Sequence, residues 1–311
     1  MGILRESVIS DILSFKSTSS LHVAGMRVDS VISPDFIPIN GTIAEKSVRG
    51  KNLSYGVYQM AVHIDIPIPL QNDSGVIEKP SMRQTKAAML GAAYKMNDQF
   101  VNGDQGSDPN GFDGIEKILG NLAAAQTLGA TELDISSAPT DATIQSVIDR
   151  IDEAVHAIQG HKPDFALINS QTGLRLRSCF RRADLLGDTH DWIRDGFPFG
   201  NIRQKLSTAA TKPMFTYMGI PFYDLGVQSD MATQIMLNTY TEGGSTGTGS
   251  RIYFVKLGED DIEGLQYAPP NMRPIGVLQD KEVERHRFTW SVGLAAWGSK
   301  SLSKVQGIRV A

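Results

Sequence analysis

The chain has 311 residues with 30 Lys and Arg against 34 Asp and Glu, a net charge of −4, and its 41% hydrophobic and 21% charged fractions are ordinary for a folded protein. The slightly acidic balance argues against a dedicated nucleic-acid binder, and the single cysteine, Cys179, excludes an internal disulfide and a multi-cysteine zinc site and fits a reducing place of synthesis. No apolar run approaches the roughly 20 residues of a membrane span, and Arg5, Glu6 and Asp11 occupy the region where a signal peptide is apolar.

Met1 to about Ser20 predicts a short amphipathic helix or a mobile arm. Ile3, Leu4, Val8, Ile12, Leu13 and Phe15 fall near helical spacing, and a Ser/Thr cluster ends them. Tyr58, Met60, Val62, Ile64 and Ile66 alternate with Gln59, Ala61, His63 and Asp65, the period of a strand. Ile37, Ile39 and Ile43 offer a partner strand, and the connection from Glu45 to Asn52 carries Lys46, Arg49 and Lys51. The pair predicts a long β-hairpin with a basic tip, which cannot be stable alone and calls for cover from another chain.

Pro80, Ser81 and Gln84 give a capping-box start. Met82, Thr85, Met89, Ala92, Ala93, Met96 and Phe100 then recur at helical steps, and Asn102-Gly103 stops them. This predicts a strut of roughly 20 residues, about 30 Å long. After a glycine-rich turn (Gly103 to Gly114), Glu116 to Leu128 predicts a short helix. A second long helix opens at Thr140-Asp141 with Ile144, Val147, Ile148, Ile151, Ala154, Val155 and Ile158 on one stripe, closing at Gly160. Phe165 to Ile168 reads as a buried strand, and Asn169-Ser170 caps a helix running to about Arg182. Tyr217–Tyr223 and Arg251–Leu257 are the strongest later strand signals, and a last long strand runs from Lys281 to about Trp297.

No catalytic constellation survives inspection, so the chain reads as a non-enzyme with no cofactor and no metal. The glycine-rich stretch from Gly243 to Gly249 lacks the lysine and following helix of a phosphate loop. Cys179 has Arg175, Arg177, Arg181 and Arg182 nearby but no local base, so it reads as a buried small residue, and its arginines as a solvated face or an intersubunit salt-bridge patch. The six histidines show no ligand spacing, and Thr189-His190-Asp191 alone is too little for a metal. Asp260-Asp261 and Asp149/Asp152/Glu153 read as solvated carboxylates, and no Gly-x-Ser-x-Gly elbow occurs.

The order of elements, with several local stretches, resembles the major capsid proteins of tailed bacteriophages with the Hong Kong 97-like fold. The stretches are His63-Ile64-Asp65-Ile66-Pro67, Phe100-Val101-Asn102-Gly103-Asp104, Asn110 to Ile115, Leu167-Ile168-Asn169-Ser170 with Leu174 to Arg177, Tyr217 to Pro221, Ile252 to Gly258 with Gly264-Leu265-Gln266, and Trp290 to Ala295 with Leu302 and Gly307-Ile308. The resemblance implies an α+β fold with an N-terminal arm (1–36), an extended loop (37–70), a peripheral domain with a spine helix (71–164 and 276–311) and an axial domain (165–275). It implies self-assembly into pentamers and hexamers of an icosahedral shell that encloses double-stranded DNA without sequence-specific binding. It further implies a virion location after synthesis in a host bacterial cytoplasm, with portal and decoration proteins as further partners. Scaffolding is expected on a separate protein, absent, or cleaved before this numbering begins. Lys46, Arg49, Lys51, Tyr58, Met60 and Val62 become the expected assembly contacts, with the three cations docking on an acidic patch of an adjacent chain. Some relatives join subunits by a Lys–Asn bond near the last strand; no Asn follows Asn271, so a non-covalent shell is expected. An encapsulin-type bacterial compartment, or an α+β oligomeric enzyme with an unrecognised site, are the alternatives.

Overall fold

The computed structural model describes residues 8–28, 32–47, 50–71, 80–129, 131–183, 213–241 and 248–310. Arg49, the Thr189-His190-Asp191 stretch, most of the 243–249 glycine stretch, and Ile3 and Leu4 lie outside them.

The centre is an eight-stranded sheet whose middle strands are covered on both sides. β7 (Phe165–Ile168) is apolar at every position and buried throughout, as a strand covered on both faces must be. Phe165 and Leu167 point into one core, Ala166 and Ile168 into a second. β11 (Thr248–Val255) repeats the division, with Tyr253 and Val255 on the first side and Ile252 and Phe254 on the other. The principal strand order is β5 (Thr127–Leu128), β14 (Leu302–Arg309), β11, β7, β9 (Ile220–Asp224) and β8 (Phe215–Tyr217); β6 (Leu133–Asp134) joins β14 and β10 (Tyr240–Thr241) joins β11.

Two helices cover the second face. α5 (Asp141–Ala157) begins at Thr140, whose hydroxyl accepts the Thr143 N–H at 3.2 Å, and buries Ile144, Val147, Ile148, Ile151, Ala154 and Val155. α6 (Ser170–Arg182) begins at Asn169, whose side chain accepts the Gln171 N–H, and buries Leu176, Cys179 and Phe180. Both start where the cap chemistry of the sequence puts them.

The first face is covered by α1 (Val8–Ile12), the 23-residue α3 (Pro80–Asn102), which comes after the one-turn α2 (Ile68–Gln71), α4 (Ile115–Gly120) and a four-stranded sheet. That sheet runs β1 (Phe15–Ser17), β12 (Ile262–Val277), β13 (Val283–Ala296) and β4 (Tyr58–Pro67). Phe288, Trp290, Val292 and Leu294 of β13 share a core with Met96 and Phe100 of α3. β12 is buried at Ile262–Leu265 and increasingly exposed beyond, so the sheet extends outward as a ribbon. Past residue 266 its outer edge has no strand partner among the described residues, and Pro269, Pro270 and Pro274 lie along it, at or beside irregularities of register.

One half-buried charge cluster ties the layers together. Glu116 of α4 accepts from the Tyr253 hydroxyl (2.6 Å) and from Lys304 Nζ (2.9 Å), and Arg251 approaches to 3.2 Å. Burial pushes the Glu116 carboxyl up, but the Tyr253 hydrogen bond and the two cations outweigh it and hold the pKa below the ordinary glutamate value.

Several sequence expectations shift. Among the described residues the first helix ends at Ile12 rather than near Ser20, because Phe15–Ser17 leaves the helical path to pair in parallel with Gly264–Gln266. The expected partnership of 37–43 with 58–66 does not form: β4 pairs with β13, Tyr58 opposite Val292 and Ile66 opposite Glu284. The hairpin is instead β2 (His22–Val28) against β3 (Gly50–Gly56), a separate two-stranded sheet. α3 starts at Pro80, which puts Ser81 inside its first turn rather than at a cap. The expected helix over 116–128 ends at Gly120, followed by a 3-10 turn and β5. The Tyr217–Tyr223 strand is two strands, β8 and β9, joined by Met218 (φ 49°) and Gly219 (φ 78°), the two positive-φ positions of a tight hairpin turn.

Candidate assembly surface

The β2–β3 hairpin is pinned to the four-stranded sheet at its base. Tyr55 donates its hydroxyl to the Ala296 carbonyl at 2.6 Å and meets Trp297 edge to face at 5.0 Å. Burial pushes the Tyr55 phenol up. Val57, Leu265 and Ala295 form the small core beneath. The backbone of Gly56 crosses so close to Gly293 that a Cβ there would sit 2.3 Å from the Gly56 oxygen, which is why glycine occupies position 293.

Between the two strands, residues 32–47 form no strand or helix. Gly41 N–H donates to the Pro38 carbonyl and Asn40 takes φ 68°, making a turn that Asn tolerates. Phe36 is 108% exposed, Ile39 97% and Ile43 76%, with Ile32 and Ile37 also exposed. Such a run of uncovered large apolar side chains marks a contact surface. The expected basic tip is therefore displaced. Lys46 lies near the return of the loop, 2.7 Å from Asp35 and 2.8 Å from the Ser33 carbonyl, so its charge is already engaged within the chain. Lys51 sits in β3 opposite Arg27.

The other three expected contacts belong to a different sheet. Tyr58 opens β4, and its hydroxyl accepts from Gln105 at 2.7 Å. Met60, opposite Trp290, packs on the first core, so it serves the fold before any neighbour. Val62 lies opposite Phe288 and is 45% exposed. The five described residues of this set thus do not converge on one patch, and Arg49 lies outside the described residues. The apolar side chains from 32 to 43 are the surface that the sequence reading passed over; their alternation was visible but fitted a strand equally well.

The opposite, polar face of the ribbon carries Asp65, held by Arg285 through two 2.6 Å hydrogen bonds. That guanidinium keeps the Asp65 carboxyl below its ordinary value. Arg287 donates to His63 Nε2 at 2.8 Å. Among the described residues no group of three or more His, Cys, Asp or Glu could hold a metal ion, and no helix is long and apolar enough to cross a membrane.

No family model and no curated protein sequence matches the chain. Solved structures do. It is similar to the SrpI encapsulin of Synechococcus elongatus PCC 7942 (TM-score 0.62, 13% identity, 97% of this chain and 88% of the other). It is also similar to the capsid of an empty GTA particle (TM-score 0.59, 11% identity, 98% and 90%) and to Microbacterium phage Oxtober96 (TM-score 0.59, 12% identity, 96% and 90%). The first is an encapsulin and the second a capsid, and in all three the likeness runs through nearly the whole of both chains.

Proposed function

We propose that this chain, whose fold is the Hong Kong 97-like capsid fold, is the repeating subunit of a closed protein shell. The observation that carries the reading is the end-to-end likeness: 96–98% of this chain superposes on 88–90% of shell subunits, leaving no large part for a separate activity. The uncovered Phe36, Ile39 and Ile43 support it, since they need a neighbour to cover them.

In this reading pentamers and hexamers of the chain make an icosahedral virion shell around double-stranded DNA. Scaffolding, portal and decoration functions are carried by other proteins. The extended loop reaches a neighbouring copy, through apolar contacts at 36–43 more than through Lys46, Arg49 and Lys51. Residues 71–164 and 276–311 make the peripheral domain and 165–275 the axial one, with the eight-stranded sheet drawing strands from both. Subunits are joined non-covalently in this reading, since the last two strands, β13 and β14, carry no Asn to bond to a lysine.

Electron microscopy and sedimentation of the purified chain test this. Shells or ring-shaped capsomers are expected; a stable small oligomer under all assembly conditions overturns the reading. The likeness to an encapsulin supports a second reading, a compartment holding cargo protein. Particles made in the native host separate the two: DNA content supports the virion, an enclosed enzyme the compartment.

A further inference from the structure

The two helices on the second face of the eight-stranded sheet carry opposite charge on their uncovered sides. On α5, Asp149 and Glu153 are exposed one turn apart, with Asp152 half-exposed beside them. On α6, Arg175, Arg181 and Arg182 are exposed, together with Leu174. At 1.5 Å per residue the carboxylates of 149–153 span about 6 Å and the arginines of 175–182 about 10 Å, so the stripes are opposite in sign and the basic one is the longer.

Among the described residues this charge is only partly used, with Arg150 of α5 drawn to Glu153. Asp149 accepts from the Gln145 amide at 2.8 Å, Asp152 from the Tyr217 hydroxyl at 2.9 Å, and Arg182 donates to the Pro139 carbonyl at 3.0 Å. Among the described residues no ion pair joins α5 to α6, although Arg182 reaches the segment that leads into α5. A molecule with an acidic and a basic stripe on one layer is complementary to a second copy of itself. Two different patches meeting head to tail make the heterologous contact that closes rings.

We propose that the arginine stripe of α6 in one copy docks on the carboxylate stripe of α5 in the next, and that this contact closes the capsomer ring. The proposal rests on the shell reading and assigns it a specific contact between named helices. Opposed potentials at such a contact steer encounter and fix register, and salt weakens them.

The test uses the full chain with two reversals, D149R/E153R and R175E/R181E. Each alone is expected to lower the yield of rings and shells at least tenfold at low salt, with an unchanged circular dichroism spectrum. The chain carrying all four substitutions is expected to assemble again. The neutral pair D149N/E153Q, which cannot fail through repulsion, is expected to lower yield several-fold and flatten its salt dependence. A one-to-one mixture of the two reversed chains carries a sharper expectation. Its favourable contacts alternate, so six copies can close a ring and five cannot, giving hexameric rings, sheets or tubes without closed shells. Unchanged assembly of both reversals overturns the proposal, as does loss of assembly in each without rescue in the four-substitution chain. Intact shells that lose only their nucleic acid in R175E/R181E also overturn it, assigning the arginines to the contents. If the unaltered chain forms neither rings nor shells, the shell reading itself fails, and that is scored before any variant.

Discussion

Glu116 shows how one carboxylate can hold three elements. It meets α4's own layer, Tyr253 of β11 and Lys304 of β14, where Lys304 is only 7% exposed. Removing one partner of a half-buried pair leaves Lys304 short of its counter-charge, so E116Q should destabilise the folded subunit by about 1–2 kcal/mol at pH 7, read by denaturant unfolding. The pH dependence has a defined sign. The folded pKa lies below the unfolded value of roughly 4.3, so the Glu116 contribution is present above that value and is lost as pH falls through the folded one. The gap between wild type and E116Q should therefore narrow in melts taken near pH 3. None of this cluster was legible in the sequence. Glu116, Tyr253 and Lys304 lie far apart along the chain, and only the packing of α4 over the β11–β14 pair brings them together.

At the level of elements, legibility followed the range of the forces that define each one. α5 and α6 were readable, their starts at the cap residue and their ends within two or three residues, because cap, stripe and stop are all local signals. β4 was readable as a strand but its partner was not: alternation fixes which side chains share a face and says nothing about which of several strands lies alongside. The same limit turned residues 37–43 into an expected strand, since isoleucines at alternate positions suit a strand and an uncovered loop alike. Two glycines give opposite predictions. Gly91 lies within α3, and a Cβ there meets nothing within 4 Å. G91A should stabilise the subunit by about 0.5–1 kcal/mol, seen as a raised midpoint in thermal unfolding. Gly293 faces the Gly56 oxygen, and G293A should destabilise by about 1–3 kcal/mol through overpacking, by the same measurement.

For the whole molecule, folding and assembly should be separable. Phe36 and Ile39 touch little of their own subunit, so F36S/I39S should leave unfolding midpoints within about 0.5 kcal/mol of wild type while sharply lowering shell yield in sedimentation. Boiling assembled particles in detergent should release one chain-sized band; a ladder would contradict non-covalent joining. What was not legible at this scale was the surroundings of the expected contacts: pairing geometry, which no local pattern encodes, sent Lys46 to Asp35 and Met60 against the core. The prolines on the outer edge of β12 bear on how such a molecule avoids a competing fate. A long bare strand edge is a template for fibres, in which copies add without limit through their peptide groups. Pro269, Pro270 and Pro274 have no N–H to offer. Unlimited growth along that edge is thereby discouraged, and the curvature of any assembly is left to side chains, which can specify an end.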